Sequence, residues 1–294
     1  MVLKPIGKIK KTIQMKIIKT LITFIFLEPF FVRRIFLKIV KRFNLGSYEA
    51  RLTYGAVKRP HYGYCIKNAA ILAKKLGYSK ISVIEFGVAG GRGILNIEYH
   101  VNQIEKLYGI EFQIYGFDTG VGLPEPQDHR DLPYIWEKGF FKMNKQKLMD
   151  KKGKAKIVIG NINETITTFI ELYKPAPIGA IFFDMDYYSS TYSSLDILLS
   201  KDKYFLPRVF SYFDDTIGNV ESLYNDYTGQ RLAIKQFNKE NKDIKIAVPY
   251  HLKAESFPQY WFNQIWIIHF FKHESYNEYI SWDSAKKSEA LKLN

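Results

Sequence analysis

The 294-residue chain is long enough for one large α/β domain with an appendage, and its 47% hydrophobic and 16% aromatic content supports a sizeable core. A single cysteine, Cys65, excludes an internal disulfide and a thiolate zinc cluster and implies a reducing compartment, the cytoplasm. The net charge of +14 is concentrated: residues 1–44 carry eleven Lys/Arg against the lone acid Glu28, so residues 45–294 are only about +4 and require no general nucleic-acid-binding face.

The N-terminal segment sets Lys4, Lys8, Lys10, Lys11, Lys16 and Lys19 before the apolar run Leu21–Leu27. After Glu28-Pro29, residues 30–42 mix Phe, Val, Ile and Leu with Arg33, Arg34, Lys38, Lys41 and Arg42. These runs are too short to span a bilayer, which takes about 20 apolar residues, and no small-residue cleavage site follows them. Two readings stay open. Basic and aromatic residues at helical spacing suit an interfacial helix on the inner face of an anionic membrane. Alternatively, a pair of helices docks on the domain or on a second subunit of a homo-oligomer. Residues 1–58 are accordingly predicted as a basic, apolar helical extension and 59–294 as the main domain.

From there the pattern alternates. A helix is predicted over 61–77, with Ile66, Ala69, Ala70, Ala73 and Leu76 on one face and Gly77 as its stop. A strand over 81–86 leads to a glycine-rich turn and a helix to about Tyr108, and a second strand, Phe112–Phe117, ends at Asp118. The polar, lysine-rich stretch 119–155 is too long for a simple connection and reads as a lid or substrate-binding insertion. Strands follow at Lys156–Ile159, Gly179–Phe183 and Val209–Phe213, with helices over 163–173, 190–200 and 220–241. Ile244–Val248 and Gln264–Phe270 close the sheet. Such alternation predicts a Rossmann-like, doubly wound, mostly parallel seven-stranded sheet.

Acids recur at the carboxyl ends of successive strands: Glu85, Asp118, Asp184 and Asp214-Asp215. In an open α/β sheet that edge binds ligands. The turn after the first strand reads Glu85-x-Gly87-Val88-x-Gly90-Gly91-x-Gly93, where glycines allow close backbone approach and a helix start offers free N–H groups. A dinucleotide fingerprint places its ribose acid about 20 residues on; here Asp118 lies 33 residues after Glu85. No Gly-Lys-Ser/Thr follows, which excludes a P-loop. Asp184-x-Asp186, if extended, sends its carboxylates to opposite sides of the strand. With Asp214 and Asp215 on the neighbouring strand, four carboxylates share a small region. Like charges raise each other's pKa, so a cation is expected, and oxygen ligands alone suit Mg²⁺. His269 and His273 read either as a second base or metal pair or as structural. Tyr224, Tyr227, Gly229, Gln230, Arg231 and Phe237 read as cleft lining or as an amphipathic core helix.

The glycine turn resembles the first motif of class I S-adenosylmethionine (SAM) methyltransferases. The segments Phe117-Asp118-Thr119 through Leu123-Pro124, Gly160-Asn161-Ile162-Asn163-Glu164-Thr165, Asp184-Met185-Asp186-Tyr187-Tyr188-Ser189-Ser190-Thr191 and Asp214-Asp215 resemble the macrocin O-methyltransferase family over roughly residues 60–270. That resemblance implies a SAM- and Mg²⁺-dependent O-methyltransferase acting on a sugar hydroxyl of a glycan precursor or glycosylated small molecule. It places SAM against Glu85, Gly87, Val88, Gly90, Gly91, Gly93, Asp118, Asn161 and Ile162. Mg²⁺ falls to Asp184, Asp214 and Asp215, and Asp186 is the general base. Asn161 reads equally as a helix cap. The competing functions are methyl transfer to RNA or protein, and a non-catalytic nucleotide-binding protein of the same fold.

Overall fold

The computed structural model describes residues 29–255 and 258–281. The chain divides into two compact units, Met1–Pro60 and His61–Asn294. In the first, helix α1 spans Pro29–Phe43 and helix α2 spans Tyr48–Thr53, whose N-terminus is capped by the Ser47 hydroxyl accepting from the Ala50 N–H. The lysines from Lys4 to Lys19 and the run Leu21–Leu27, which carried half of the N-terminal reading, lie outside the described residues.

In the second unit, helix α3 (Pro60–Lys75) buries Cys65, Ile66, Ala69, Ala70 and Ala73. The chain then alternates through β1 (Lys80–Phe86), α4 (Arg92–Tyr108), β2 (Glu111–Asp118), the short α5 (Lys145–Met149), β3 (Lys156–Ile159), α6 (Ile162–Tyr173), β4 (Ile178–Phe183), α7 (Tyr188–Ser194), β5 (Phe205–Phe213), α8 (Gly229–Glu240), β6 (Ile244–Ala247) and β7 (Ile265–Phe270). Among the described residues the strands form one seven-stranded sheet in the order β3-β2-β1-β4-β5-β7-β6. All neighbours are parallel except β7, which runs against both β5 and β6. The expected Rossmann-like, doubly wound architecture is what is observed.

β4 reads as a continuous apolar run and β1, despite Ser82 and Glu85, is buried from Ile81 onward, because helices cover both faces of a parallel sheet. Register levels their ends. Phe117, Phe86, Phe183 and Phe213 are mutual partners across β2, β1, β4 and β5. Their rings pack in series, with centroids 4.9, 5.4 and 4.2 Å apart. Each is the last or next-to-last residue of its strand, so this aromatic row lies directly beneath the loops that carry the acids.

Two elements depart from the expected pattern. The helix expected over 220–241 starts only at Gly229. Residues 217–228 are loop because Asn219 Oδ1 accepts from the Ser222 N–H, Leu223 takes φ 47° and Gly229 takes φ 55°; an Asx turn and left-handed residues compete with helix. The helix expected over 190–200 tightens into a 3₁₀ turn at Leu195–Leu199.

Candidate active site

The parallel register that aligns Phe183 with Phe213 delivers Asp184 and Asp214-Asp215 side by side at the carboxyl edge. One carboxylate oxygen from each of Asp184, Asp214 and Asp215 lies within 4.8 Å of the others. Asp184 and Asp214 are half-buried and Asp215 is buried. Asp186 is buried beside them but is not extended: its φ is 63°, in the left-handed region, so the alternating projection expected of Asp-x-Asp does not apply. The turn points its backbone N–H at Asp215 Oδ2 (3.0 Å).

Further groups fix these acids. The Tyr212 hydroxyl donates to Asp214 Oδ1, and the Gln264 side-chain amide donates to the Asp214 carbonyl. The Tyr224 hydroxyl donates to Asp215 Oδ1 (2.9 Å), and the Asp215 N–H donates to Gln230 Oε1 (2.9 Å). Gln230 Nε2 in turn donates to the Phe183 carbonyl (3.2 Å), tying α8 to the end of β4. Burial and the charges of Asp184 and Asp214 push Asp186 up to about 8. Burial, then Asp186, Asp214 and Asp184, hold Asp215 well above the usual carboxylate range. Burial raises the Tyr212 and Tyr224 phenols, so both remain donors. A cluster of oxygen donors crowded until protons are favoured is the donor chemistry a hard divalent cation fits.

The glycine turn adjoins this cluster. Gly87 (φ 89°) sits so close to β4 that a Cβ there would fall 1.7 Å from the Asp184 carbonyl oxygen. Glu85 is fully buried beneath the turn: its Oε1 accepts from the Tyr62 hydroxyl (2.8 Å), and the carboxylate fills the space a Gly93 Cβ would need. Val88 is likewise buried, packed where β2 presents Gly116, and Gly91 (φ 80°) lies under Leu148 of α5. Glu85, Val88, Gly91 and Gly93 therefore shape the turn from below. Gly90 is exposed with open space where a Cβ would stand, and no side chain caps α4.

Asp118 is half-buried and joins two turns, with Oδ2 accepting from the Ala89 N–H (2.7 Å) and Oδ1 from the Gly120 N–H (2.6 Å). Each oxygen keeps a second lone pair. Asn161 is the N-cap of α6, accepting from the Asn163 N–H, and Ile162 packs against the hydrophobic core. His269 and His273 are not brought to the acids. The antiparallel β7 pairs Ile265 with Tyr212 and His269 with Arg208, which puts both histidines toward the other edge. His269 Nδ1 bonds the Tyr276 hydroxyl, and His273 bonds the Phe205 carbonyl and the Ser275 N–H.

The 119–155 segment is anchored by an aspartate that the sequence pattern did not single out. Asp131 is fully buried and accepts from the Ser189 N–H (2.8 Å), the Ser189 hydroxyl (2.9 Å) and the Gln127 N–H (2.9 Å). The Tyr187 hydroxyl donates to the Pro124 carbonyl (3.3 Å) and the Tyr134 hydroxyl to the Ser222 carbonyl (2.6 Å). Residues 119–155 are thereby pinned to the loops that follow β4 and β5.

No protein-family model matches the chain, and no curated protein matches it in sequence. Among solved structures, the calicheamicin methyltransferase CalS11 is 17% identical, covering 71% of this chain and 84% of its own, with a TM-score of 0.43. The O-methyltransferase NovP is 12% identical, covering 62% and 72%, at 0.44. The O-methyltransferase TomG from Streptomyces achromogenes, in complex with SAM, is 12% identical, covering 69% and 78%, at 0.40. By its own strand order and reversed β7, the chain has a Rossmann-like, doubly wound fold.

Proposed function

We propose that residues 59–294 form a SAM- and Mg²⁺-dependent O-methyltransferase domain acting on a hydroxyl of a sugar-containing small molecule or glycan. One juxtaposition carries the reading: the Asp184/Asp214/Asp215 cluster adjoins the glycine turn, through Gly87 set against the Asp184 carbonyl. Donor half and acceptor half of a transfer site are then contiguous at one sheet edge. The sugar acceptor rests on the motif resemblance and on the suitability of such a cluster for a diol.

SAM brings a methyl group already activated on its sulfonium, so the protein's main task is alignment of donor and acceptor. The α4 N-terminus and Gly90 would receive its carboxylate, and Asp118 its ribose. Asp184, Asp214 and Asp215 would hold Mg²⁺, which supplies Lewis acidity toward a sugar hydroxyl. Asp186, buried beside them, would take the hydroxyl proton. Calorimetric titration with SAM and with NAD, followed by methyl incorporation into glycans and RNA with and without chelator, tests the reading. SAM binding and chelator-sensitive transfer to a sugar are expected. Binding of NAD without SAM overturns the reading in favour of a nucleotide-binding protein, and transfer to RNA overturns the acceptor class.

We also propose that α1 contacts an anionic membrane surface on the cytoplasmic side, rather than a second copy of the chain. Ile35, Phe36, Ile39 and Phe43 are exposed on one sector of the helix, flanked by Arg34, Lys38, Lys41 and Arg42. Among the described residues no helix is long and apolar enough to cross a membrane. Burying a phenylalanine is worth about 1.5–3 kcal/mol, and each basic group near an anionic surface about 1 kcal/mol. Full-length protein is expected to sediment with phosphatidylglycerol-containing vesicles but not with phosphatidylcholine alone. Phe36→Glu/Phe43→Glu is expected to lose most of that binding. Equal sedimentation of wild type and variant refutes the proposal.

A further inference from the structure

We infer that Tyr224 is a positioning residue through which the 119–155 insertion organises the cation cluster, an inference that rests on the cation-binding reading above. Asp215 is the most buried of the three clustered acids, and both of its carboxylate oxygens are engaged. Oδ2 is held by the Asp186 N–H, from within the acid-bearing loops; Oδ1 is held by the Tyr224 hydroxyl, which comes from the 217–228 loop. Of the two, only the Tyr224 contact comes from a segment with no acid of the cluster on it.

That loop is built to keep the phenol in place. A Cβ on Gly218 would fall 2.7 Å from Tyr224 Cε2 and 2.8 Å from Ser222 Oγ, so the chain closes tightly around the ring. Asn219 Oδ1 accepts from both the N–H and the hydroxyl of Ser222, and Leu223 turns left-handed immediately before Tyr224. The Ser222 carbonyl, two residues from Tyr224, accepts from the hydroxyl of Tyr134 in the insertion. Tyr134 follows closely on Asp131, which is locked to Ser189 at the start of α7. A continuous set of contacts therefore runs from the insertion through Ser222 and Tyr224 to one oxygen of Asp215. Groups that orient a metal-bound carboxylate fix which lone pairs remain for the ion, and their loss commonly lowers metal affinity 10–100-fold.

The test uses the full chain, with Mn²⁺ alone as the probe, followed by electron paramagnetic resonance, and SAM titrated separately by calorimetry. Tyr224→Phe keeps the ring and removes the hydroxyl. It is expected to weaken Mn²⁺ binding about 10–100-fold while leaving SAM affinity and the thermal midpoint within error of wild type. Tyr134→Phe, which touches no acid, is expected to move Mn²⁺ affinity in the same direction by a smaller factor. Wild-type Mn²⁺ affinity in Tyr224→Phe overturns the inference while leaving the cation site standing. Weakening by Tyr224→Phe but not by Tyr134→Phe overturns the link to the insertion. If wild-type protein binds no Mn²⁺, the cation reading fails, and the role of Tyr224 fails with it.

Discussion

Asp215→Ala is expected to reduce cation-dependent methyl transfer by about 10³-fold or more, the scale of several kcal/mol of lost electrostatic stabilisation. SAM affinity is expected to stay within about twofold, because a change of that size is under 0.5 kcal/mol. The asymmetry follows from placement. Asp215 lies past β5, bonded to Tyr224, Asp186 and Gln230, whereas the glycine turn follows β1 and Asp118 ends β2. Asp184→Ala removes a half-buried carboxylate from the same cluster and should reproduce the loss with less disturbance of packing. Initial rates at saturating Mg²⁺, paired with SAM calorimetry on the same preparations, check the result. Lost SAM binding in Asp184→Ala contradicts the division between the two halves.

Gly87→Ala is expected to destabilise the second unit by about 4 kcal/mol or more, the exceptional end of single substitutions. Two penalties combine there. Alanine at φ 89° is strained, and its Cβ would overlap the Asp184 carbonyl oxygen at 1.7 Å. The strand cannot retreat cheaply, because the Asp184 N–H is bonded to the Phe86 carbonyl (2.9 Å) and the buried β1–β4 ladder continues below. For a unit of this size the thermal midpoint should fall by about 10 °C. Gly90→Ala is the matched control: exposed, with nothing near its Cβ position, it should change stability by no more than about 0.5 kcal/mol. Urea unfolding of the three proteins separates the effects. Equal stability of Gly87→Ala and wild type would contradict the close approach of β1 and β4.

Much of the fold was legible because apolar runs and turn residues carry period and length. β1, β3, β4 and β7 and helices α3, α4 and α6 fall within a residue or two of where the pattern places them. Strand-ending acids were legible for the same reason, since parallel register turns sequence position into spatial alignment. What escaped depended on single dihedrals and on long-range polar pairs. Asp186 takes its direction from one left-handed residue, which no spacing rule encodes. Glu85 reads as a ligand-facing acid, yet it lies beneath Gly93 and meets Tyr62, a partner on α3. Asp131 sits in a polar stretch where a solvated carboxylate and a buried one look alike; only its meeting with Ser189, 58 residues on, distinguishes it. The tyrosines of 220–228 mimic helical spacing, while Asn219 and Leu223 redirect the backbone.

The four phenylalanines in register across β2, β1, β4 and β5 confer a modularity on the molecule. They act as a keel: ring-on-ring packing helps hold the strand termini level beneath the segments that hang above them. Sequence change in the overlying segments can therefore leave this ring-on-ring support in place.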